Sequence, residues 1–248
     1  GPVGPAGTTL VTGLTDRYER LPSQTYSEYA QAGAIAGSPT RDIQTAIDAT
    51  TAGPAYQVIV GPGSYGGATV TIPAGRNNIS IIGPQAGDFG GTVASLSSGR
   101  GLTVGNNAVR VRLVSLQIEG LTTISTSGAG VHRIEQCQLE GGLTIGAISA
   151  TIYVVGCTIG NLTVSAGFTG LLLIDRCQFL SAEGSLRAQD RVSIAFNANA
   201  NDLKVRENRA TQFRHFAVLG GNGHLIMGNH WFQGDTQTLG VRMPGIIL

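Results

Sequence analysis

Apolar residues recur along this chain in columns about 20 residues apart. Aligning RLVSLQIEG, RIEQCQLEGG, YVVGCTIGN and LIDRCQFLS gives a central column with spacings of 21, 20 and 20 residues. One apolar column lies three residues before it and another lies two residues after it. The three columns contain Leu113, Ile134, Val154 and Ile174; Leu116, Cys137, Cys157 and Cys177; and Ile118, Leu139, Ile159 and Phe179. This alternation predicts short β-strands whose like side chains stack from one repeat to the next.

A second family of short strands follows each of these segments. GLTTIS, GLTIGA and NLTVSA place Leu121, Leu143 and Leu162 in a common column. Two or three short strands in each repeat of about 20 residues predict a parallel β-solenoid whose coils stack at about 4.8 Å. Leucine-rich repeats have a similar length, but their leucine and asparagine consensus is missing here.

Two histidines fall on another column that is expected to point inward. His132 and His224 share this column with apolar residues, so we expect core histidines rather than ligands. The apolar members are Val111, Ile152, Leu172 and Leu203.

One segment, SPTRDIQTAIDATTAG, has the pattern of a helix. Thr40 is the predicted N-cap, Ile43, Ala46 and Ile47 share one face, and Gly53 is predicted to close the C-terminus. The predicted length is about ten residues. So short an amphipathic helix before the repeats predicts a cap over the open end of the solenoid.

Composition agrees with an all-β protein and narrows the choice of partners. Charged residues make up 12% of the chain, against about 25% in typical globular proteins. The 37 glycines are consistent with many turns. A net charge of +1 without a basic cluster gives no reason to expect a nucleic-acid partner. The sequence has no apolar stretch that approaches the roughly 20 residues of a membrane span, so we expect no membrane insertion.

The segments IQTAIDATTAGPAYQVIVGPGSYGGATVTI and NNISIIGP look like the capping helix and first coil of the right-handed parallel β-helix, or pectin-lyase-like, superfamily. The resemblance covers residues 38–248 and is in particular to the phage tailspike and tail-fibre proteins of that superfamily. RENRA and MGNHW resemble its asparagine ladder, which implies inward corner positions for Asn208 and Asn229. This fold hosts enzymes, adhesins and spikes, so the resemblance does not settle the activity.

The three cysteines are expected to belong to the core. Parallel, stacked thiols fit neither tetrahedral metal coordination nor disulfide geometry. We predict that Cys137, Cys157 and Cys177 are free, buried thiols in the corner column that Asn208 and Asn229 continue. No metal and no cofactor is expected.

Two pairs of acidic residues lie on columns that are expected to point outward. Glu119 and Glu140 occupy equivalent positions on adjacent coils, and their stacking would match the roughly 5 Å separation of a retaining glycosidase pair. Glu135 and Asp175 lie two coils apart in another column. Outward acids on a solvated sheet are ordinary, and the other enzymatic signatures of the superfamily are missing. Catalysis by Glu119 and Glu140 is therefore kept only as an alternative.

The best outward cluster for binding a glycan is Arg112, Arg133 and Glu135, together with Tyr153. A sugar needs an aromatic face for stacking and polar neighbours for its hydroxyl groups. These four residues supply both.

Tyr153, Val155 and Leu173 are also expected to point outward, and strands that are apolar on both faces are usually buried on both. We predict that this patch is the interface of a homotrimer. The opening GPVGPAGTT, with glycine at every third position, is typical of a collagen-like triple helix, which also requires three chains. A flexible leader and a cloning remnant are the alternatives for this segment.

The predicted organisation is a collagen-like stub over residues 1–9, an irregular neck over 10–37 and a parallel β-helix over 38–248. We expect a phage virion protein, a trimeric spike or fibre on the tail or head that contacts other virion proteins and adheres to host-surface polysaccharide. The alternatives are a polysaccharide depolymerase on the same fold and a purely architectural spike. VRMPGIIL reads as a strand without a cap, so we expect either a longer protein or an end that a neighbour covers.

Overall fold

The computed structural model describes residues 25–30, 42–50, 55–76, 78–84, 93–105, 108–125, 130–180, 192–196, 203–211, 215–219, 223–232 and 246–247. These residues form an all-β parallel solenoid, the parallel β-helix that the repeat predicts. Three parallel sheets run along it, and successive strands of the chain pass from the first sheet to the second and then to the third. The predicted collagen-like stub lies outside the described residues.

The first sheet has nine strands, and each strand pairs in parallel with its equivalent in the neighbouring coil. Its strands are β1 (Thr25–Ala30), β2 (Ala55–Val60), β5 (Ile79–Ile82), β8 (Val111–Val114), β11 (Val131–Glu135), β14 (Thr151–Val155), β17 (Leu172–Asp175), β20 (Leu203–Arg206) and β23 (Leu225–Met227). Strand β1 pairs with β2 along its whole length. The sheet therefore reaches into the segment that was predicted to be an irregular neck.

The second and third sheets have eight strands each. The second sheet contains β3 (Gly63–Ser64), β6 (Ala94–Leu96), β9 (Leu116–Ile118), β12 (Gln138–Leu139), β15 (Thr158–Ile159), β18 (Gln178–Leu180), β21 (Arg209–Thr211) and β24 (His230–Phe232). The third contains β4 (Val70–Ile72), β7 (Leu102–Val104), β10 (Thr122–Ile124), β13 (Leu143–Ile145), β16 (Leu162–Val164), β19 (Val192–Phe196), β22 (His215–Leu219) and β25 (Ile246–Ile247).

The predicted apolar columns are confirmed by the strand register. Ile134 pairs with both Leu113 and Val154, and Ile159 pairs with Phe179. The side chains of these columns are almost completely buried. The core is therefore a stack of like residues along the axis, as the repeat requires.

The prediction for Leu121 was wrong. Thr122, not Leu121, pairs with Leu143, and Leu121 is 49% exposed. The similarity of GLTTIS to GLTIGA is misleading here, because the GLT motif lies one residue earlier in its coil than in the next coil. Leu121 therefore precedes the buried column that Thr122, Leu143 and Leu162 form.

From strand β8 onward, each described turn from the first sheet to the second is made by a single residue in the left-handed backbone conformation. The six residues at this corner position have φ values between 51° and 64°. They are Ser115, Gln136, Gly156, Arg176, Glu207 and Gly228. The backbone N–H of each corner residue that has a following coil donates to a carbonyl of that coil, as from Gln136 to Val155 at 3.0 Å. The corner thus turns the chain without interrupting the parallel ladder.

The residue after this corner points inward, and here the cysteines and asparagines share one function. Asn208 and Asn229 each donate a side-chain N–H to a carbonyl of the preceding coil, at 3.1 and 2.9 Å. The thiols of Cys157 and Cys177 lie 3.4 Å from the equivalent carbonyls, those of Ile134 and Val154. The thiols therefore replace the amides as weak donors in a buried corner.

Helix α1 (Ile43–Ala49) covers the end of the solenoid, and Ile43, Ala46 and Ile47 are buried as predicted. Its N-cap is Asp42, which accepts a hydrogen bond from Gln44 N at 3.1 Å. The predicted caps, Thr40 and Gly53, were therefore wrong, since the N-cap is Asp42 and the C-cap is Thr50. Thr40 and Gly53 themselves lie outside the described residues. Asp42 also pairs with the buried Arg100, a partner 58 residues away that no local pattern shows.

Two side chains protect the open end of the sheets. The side-chain amide of Gln44 accepts from Thr71 N at 2.7 Å and donates to Thr71 O at 3.0 Å, so it pairs with edge strand β4 as another strand would. Arg100 donates to the carbonyls of Gly66 and Ala68. Although burial raises the pKa of Asp42, the hydrogen bond and charge of Arg100 more than offset it and hold that pKa below its ordinary value.

His132 lies in the inward column predicted for it, paired with Ile152 and only 1% exposed. Among the described residues, neither of its ring nitrogens has a hydrogen-bond partner. Burial lowers the pKa of His132 from 6.5 to about 4. The imidazole is therefore held neutral in the core at pH 7.

Acid should destabilise the protein through His132. The unfolded chain binds a proton near pH 6.5 and the folded chain only near pH 4, so stability is complete above about 6.5 and falls between these values. The loss is on the order of 2 to 3 kcal/mol. Urea unfolding at pH 7.5 and 4.5 measures it, and His132→Leu should reduce the difference by that amount. An identical pH dependence in the variant would contradict the prediction.

The cysteine column gives a second prediction. All three thiols are free and buried. Hydrogen bonding to the neighbouring thiol, together with burial, raises the pKa of Cys157 and of Cys177. A thiol reagent should therefore find three reactive groups only after denaturation. A disulfide detected by mass analysis under non-reducing conditions would rule out this arrangement.

Candidate functional site

The outward face of the first sheet carries the predicted binding residues side by side. Arg112, Arg133 and Tyr153 occupy one column on β8, β11 and β14, because Arg133 pairs with Arg112 on one side and with Tyr153 on the other. Glu135 lies in the next outward column of β11. Neighbouring strands are about 4.8 Å apart, so the four side chains are within reach of one another.

The side chains are in mutual contact. Glu135 accepts a hydrogen bond from Arg112 Nε at 2.6 Å, and its other carboxylate oxygen lies 3.6 Å from Arg133 Nη1. The guanidinium of Arg133 lies over the ring of Tyr153, 4.7 Å from its centre. The four residues therefore form one connected cluster of charge, hydrogen-bond donors and aromatic surface.

This cluster contributes little to folding and remains accessible to a ligand. The side chains of Arg112 and Arg133 are 49% and 50% exposed, and ion pairs so exposed contribute about 0 to 1 kcal/mol each. The carboxylate holds both guanidinium groups in place. Several N–H donors and one face of each guanidinium remain available to solvent.

Two depressions border the cluster, and Arg112 lines both. One, of about 430 Å³, also contains Arg110, Arg133 and Asn78 in its wall. In this wall, Arg110 Nη1 donates a hydrogen bond to the side-chain oxygen of Asn78 at 3.4 Å. This depression is lined by three arginines and no carboxylate, so it favours an anion. The other depression, of about 450 Å³, is lined by residues around the corner: Arg112, Val114, Glu135, Gln136, Val155, Gly156 and Arg176.

The predicted apolar patch lies beside the cluster. Tyr153 pairs directly with Leu173, and Val155 pairs with Asp175. All three patch residues are half-buried within the chain itself. The largest exposed apolar side chains of the described residues are elsewhere; they are Leu121, Val131, Leu180, Leu225 and Met227.

An ion-pair network that the sequence reasoning missed borders this patch. Asp175 is buried and lies 3.2 Å from Arg176 Nε and 3.3 Å from Arg206 Nη2. The column that contains Glu135, Val155 and Asp175 continues to Arg206, so extending the repeat alignment by one coil would have found the pairing. Charge therefore flanks the apolar patch on two sides.

The candidate catalytic residues, Glu119 and Glu140, each follow a strand of the second sheet, β9 and β12 respectively. Glu119 accepts a hydrogen bond from Gly99 N at 3.3 Å. Glu140 accepts from both Gln117 and Gln138, each at 2.7 Å and through the same oxygen. The geometry of Glu140 is that of a residue that positions two amide side chains.

Within the described residues, no group of three or more His, Cys, Asp or Glu side chains could hold a metal ion. The described part of the chain also contains no helix long and apolar enough to cross a membrane.

No protein-family model, no curated protein and no solved structure matches this chain. The strand pairing alone therefore identifies the parallel β-helix.

Proposed function

We propose that this protein is a virion component, one protomer of a homotrimeric β-helical spike or fibre of a phage, and that it adheres to host-surface glycan. The observation that carries the adhesive function is the cluster of Arg112, Arg133, Glu135 and Tyr153 on the outward face of the first sheet. A purely structural sheet has no need of this cluster.

The chemistry of the cluster suits a saccharide. The faces of sugar rings pack on aromatic rings and guanidinium planes, while their hydroxyl groups need donors and acceptors in fixed directions. Glu135 supplies acceptors and the two arginines supply donors. Because these groups already hold one another in place, a ligand would order few side chains on binding.

The spike architecture is supported by the pattern of the coils. In five of the eight strand pairs of the first sheet, paired residues lie 20 to 23 positions apart, as with Ile152 and Leu172. In the other three pairs they lie 30 to 32 positions apart, which supports a basic coil of about 20 residues that is lengthened at three places. The stacked inward asparagines Asn208 and Asn229, joined by a side-chain hydrogen bond of 2.9 Å, support membership of the pectin-lyase-like superfamily. The GPVGPAG opening supports a trimer, since a collagen helix has three chains.

The trimer proposal assigns Tyr153, Val155 and Leu173 to the contact between protomers. Fully burying side chains of this kind contributes about 1.5 to 3 kcal/mol each. Val155 also lines the depression at Glu135. In such a trimer the glycan site would therefore lie at the edge of the contact, beside the neighbouring protomer.

Glycan adhesion is tested by removing both charges of one ion pair. Arg133→Ala with Glu135→Ala leaves the net charge unchanged and should weaken binding to a host polysaccharide by about tenfold or more. Purified protein would be titrated against a panel of bacterial surface glycans. The matched control is Lys204→Ala with Glu207→Ala, which removes an exposed pair of charges three coils away from Arg133 and should change affinity less than about twofold.

Unchanged binding by the Arg133 and Glu135 variant would reject the site. The same mixtures distinguish adhesion from depolymerisation, because an enzyme would release new reducing ends or unsaturated products. If such products appear and Glu140→Gln abolishes them, the depolymerase alternative replaces adhesion. Binding to no glycan at all would favour the purely architectural spike.

Assembly is tested by light scattering. The unmutated chain should have the mass of a trimer, and Val155→Asp with Leu173→Asp should dissociate or aggregate it. Both substitutions would bury charge in the contact, and Val155→Asp would place a carboxylate between Glu135 and Asp175. Cys157→Ala, a change at a buried inward position two residues after Val155, should leave the trimer intact. A stable, soluble monomer of the unmutated chain would refute the trimer.

A further inference from the structure

An uncharged depression of about 420 Å³ lies around the corner from the arginine cluster, on the second sheet. Its polar wall is formed by Gln117, Gln138 and Thr158, which project from β9, β12 and β15 in one outward column. Ser115 and Gln136 line it from the corner. Amide and hydroxyl groups predominate, so its chemistry differs from that of the arginine-lined face.

The amide groups of this wall have a fixed orientation. The Nε2 groups of Gln117 and Gln138 both donate to one carboxylate oxygen of Glu140, at 2.7 Å. Because each amide is held through its nitrogen, its carbonyl oxygen remains as an acceptor for a ligand. Glu140 is thus a positioning residue for two hydrogen-bond acceptors.

The two depressions adjoin at Gly156. This depression and the one at Glu135 have Gln136 and Gly156 in common in their walls. Gly156 occupies the left-handed corner position at which four other coils carry side chains: Ser115, Gln136, Arg176 and Glu207. A Cβ added at Gly156 would meet only Gln136 Cγ, at 3.9 Å. The missing side chain therefore leaves open space across the corner.

We propose that one groove runs from Arg112 and Glu135 across Gly156 to Gln117, Gln138 and Thr158, and that it binds an acidic oligosaccharide. A carboxylate-bearing sugar occupies the arginine end, on the side of Arg112 that faces the depression lined by Arg110, Arg112 and Arg133, where guanidinium groups can bind a carboxylate through two parallel hydrogen bonds. An uncharged neighbouring sugar occupies the amide end, where its hydroxyl groups meet the carbonyl oxygens and the Thr158 hydroxyl. This inference rests on the proposed glycan adhesion and specifies its ligand class and path.

Gly156→Gln tests the path directly. Glutamine is the residue of the preceding coil at the same corner, where Gln136 has a φ of 54°, so the fold accepts it in this conformation. The probe is a hyaluronan tetrasaccharide, in which glucuronate alternates with an uncharged sugar. Isothermal titration should show a dissociation constant raised by about tenfold or more, because the new side chain fills the crossing. A thermal melt checks that the variant is folded.

The matched control is Gly228→Gln. Gly228 has nearly the same backbone conformation, with a φ of 64°, but it contributes to neither depression. Its substitution should change hyaluronan affinity less than about twofold. Thr158→Gln is a second blocking variant that avoids the glycine, since Gln138 and Gln178 flank it in the same column.

The probes also test the ligand class. Hyaluronan should bind more tightly than oligogalacturonide, which is acidic throughout, and both more tightly than dextran, which is uncharged. If Gly156→Gln and Thr158→Gln both bind hyaluronan as the unmutated protein does, the groove is overturned. Failure of the unmutated protein to bind any of the three probes overturns the ligand class, whereas adhesion itself fails only if the wider glycan panel is also not bound.

Discussion

The fold depends on a corner that turns the chain through one residue without breaking the parallel ladder. The left-handed conformation costs a non-glycine residue about 1 to 2 kcal/mol, yet Ser115, Gln136, Arg176 and Glu207 all adopt it. The cost is offset because the corner N–H stays in the ladder and the next side chain enters the core. Cysteine or asparagine at that inward position then donates to a carbonyl of the coil before. Corner, ladder and core column are thus one repeating unit.

A solenoid built this way has open edges, and here the described end is covered by specific side chains. Gln44 satisfies both backbone groups of Thr71 on edge strand β4, and Arg100 joins the loop after β3 to the N-cap Asp42. Exposed strand edges promote edge-to-edge association. A helix of seven residues has little stability of its own. It is held over the end of the solenoid by two polar contacts, Gln44 with Thr71 and Asp42 with Arg100, which the local sequence does not predict.

Features that repeat from coil to coil can be predicted from the sequence. Features that depend on a partner far away in the sequence cannot. The inward columns through Ile134 and Cys137 follow from spacing alone, because a parallel register stacks equivalent residues. The prediction for Leu121 failed because its GLT motif is shifted by one residue from the GLT of the next coil, so that Thr122 pairs with Leu143. Asp42 could not be identified as the cap, since its partner Arg100 is 58 residues away. In the candidate site, the column of Arg112 and Arg133 was predictable, whereas the importance of Gly156 emerges only when the corner conformation is known.

The division between inward and outward columns also indicates where function can reside. Inward positions are fixed by stacking, so they carry information about stability alone. Outward positions are nearly free of that constraint, because exposed ion pairs such as Arg112 with Glu135 stabilise the fold little. Glu140 illustrates the consequence: its interactions do not secure the core but orient Gln117 and Gln138 on the surface. An orientation of this kind, maintained without benefit to the core, is the physical reason to treat the outer columns around Gly156 as a binding surface.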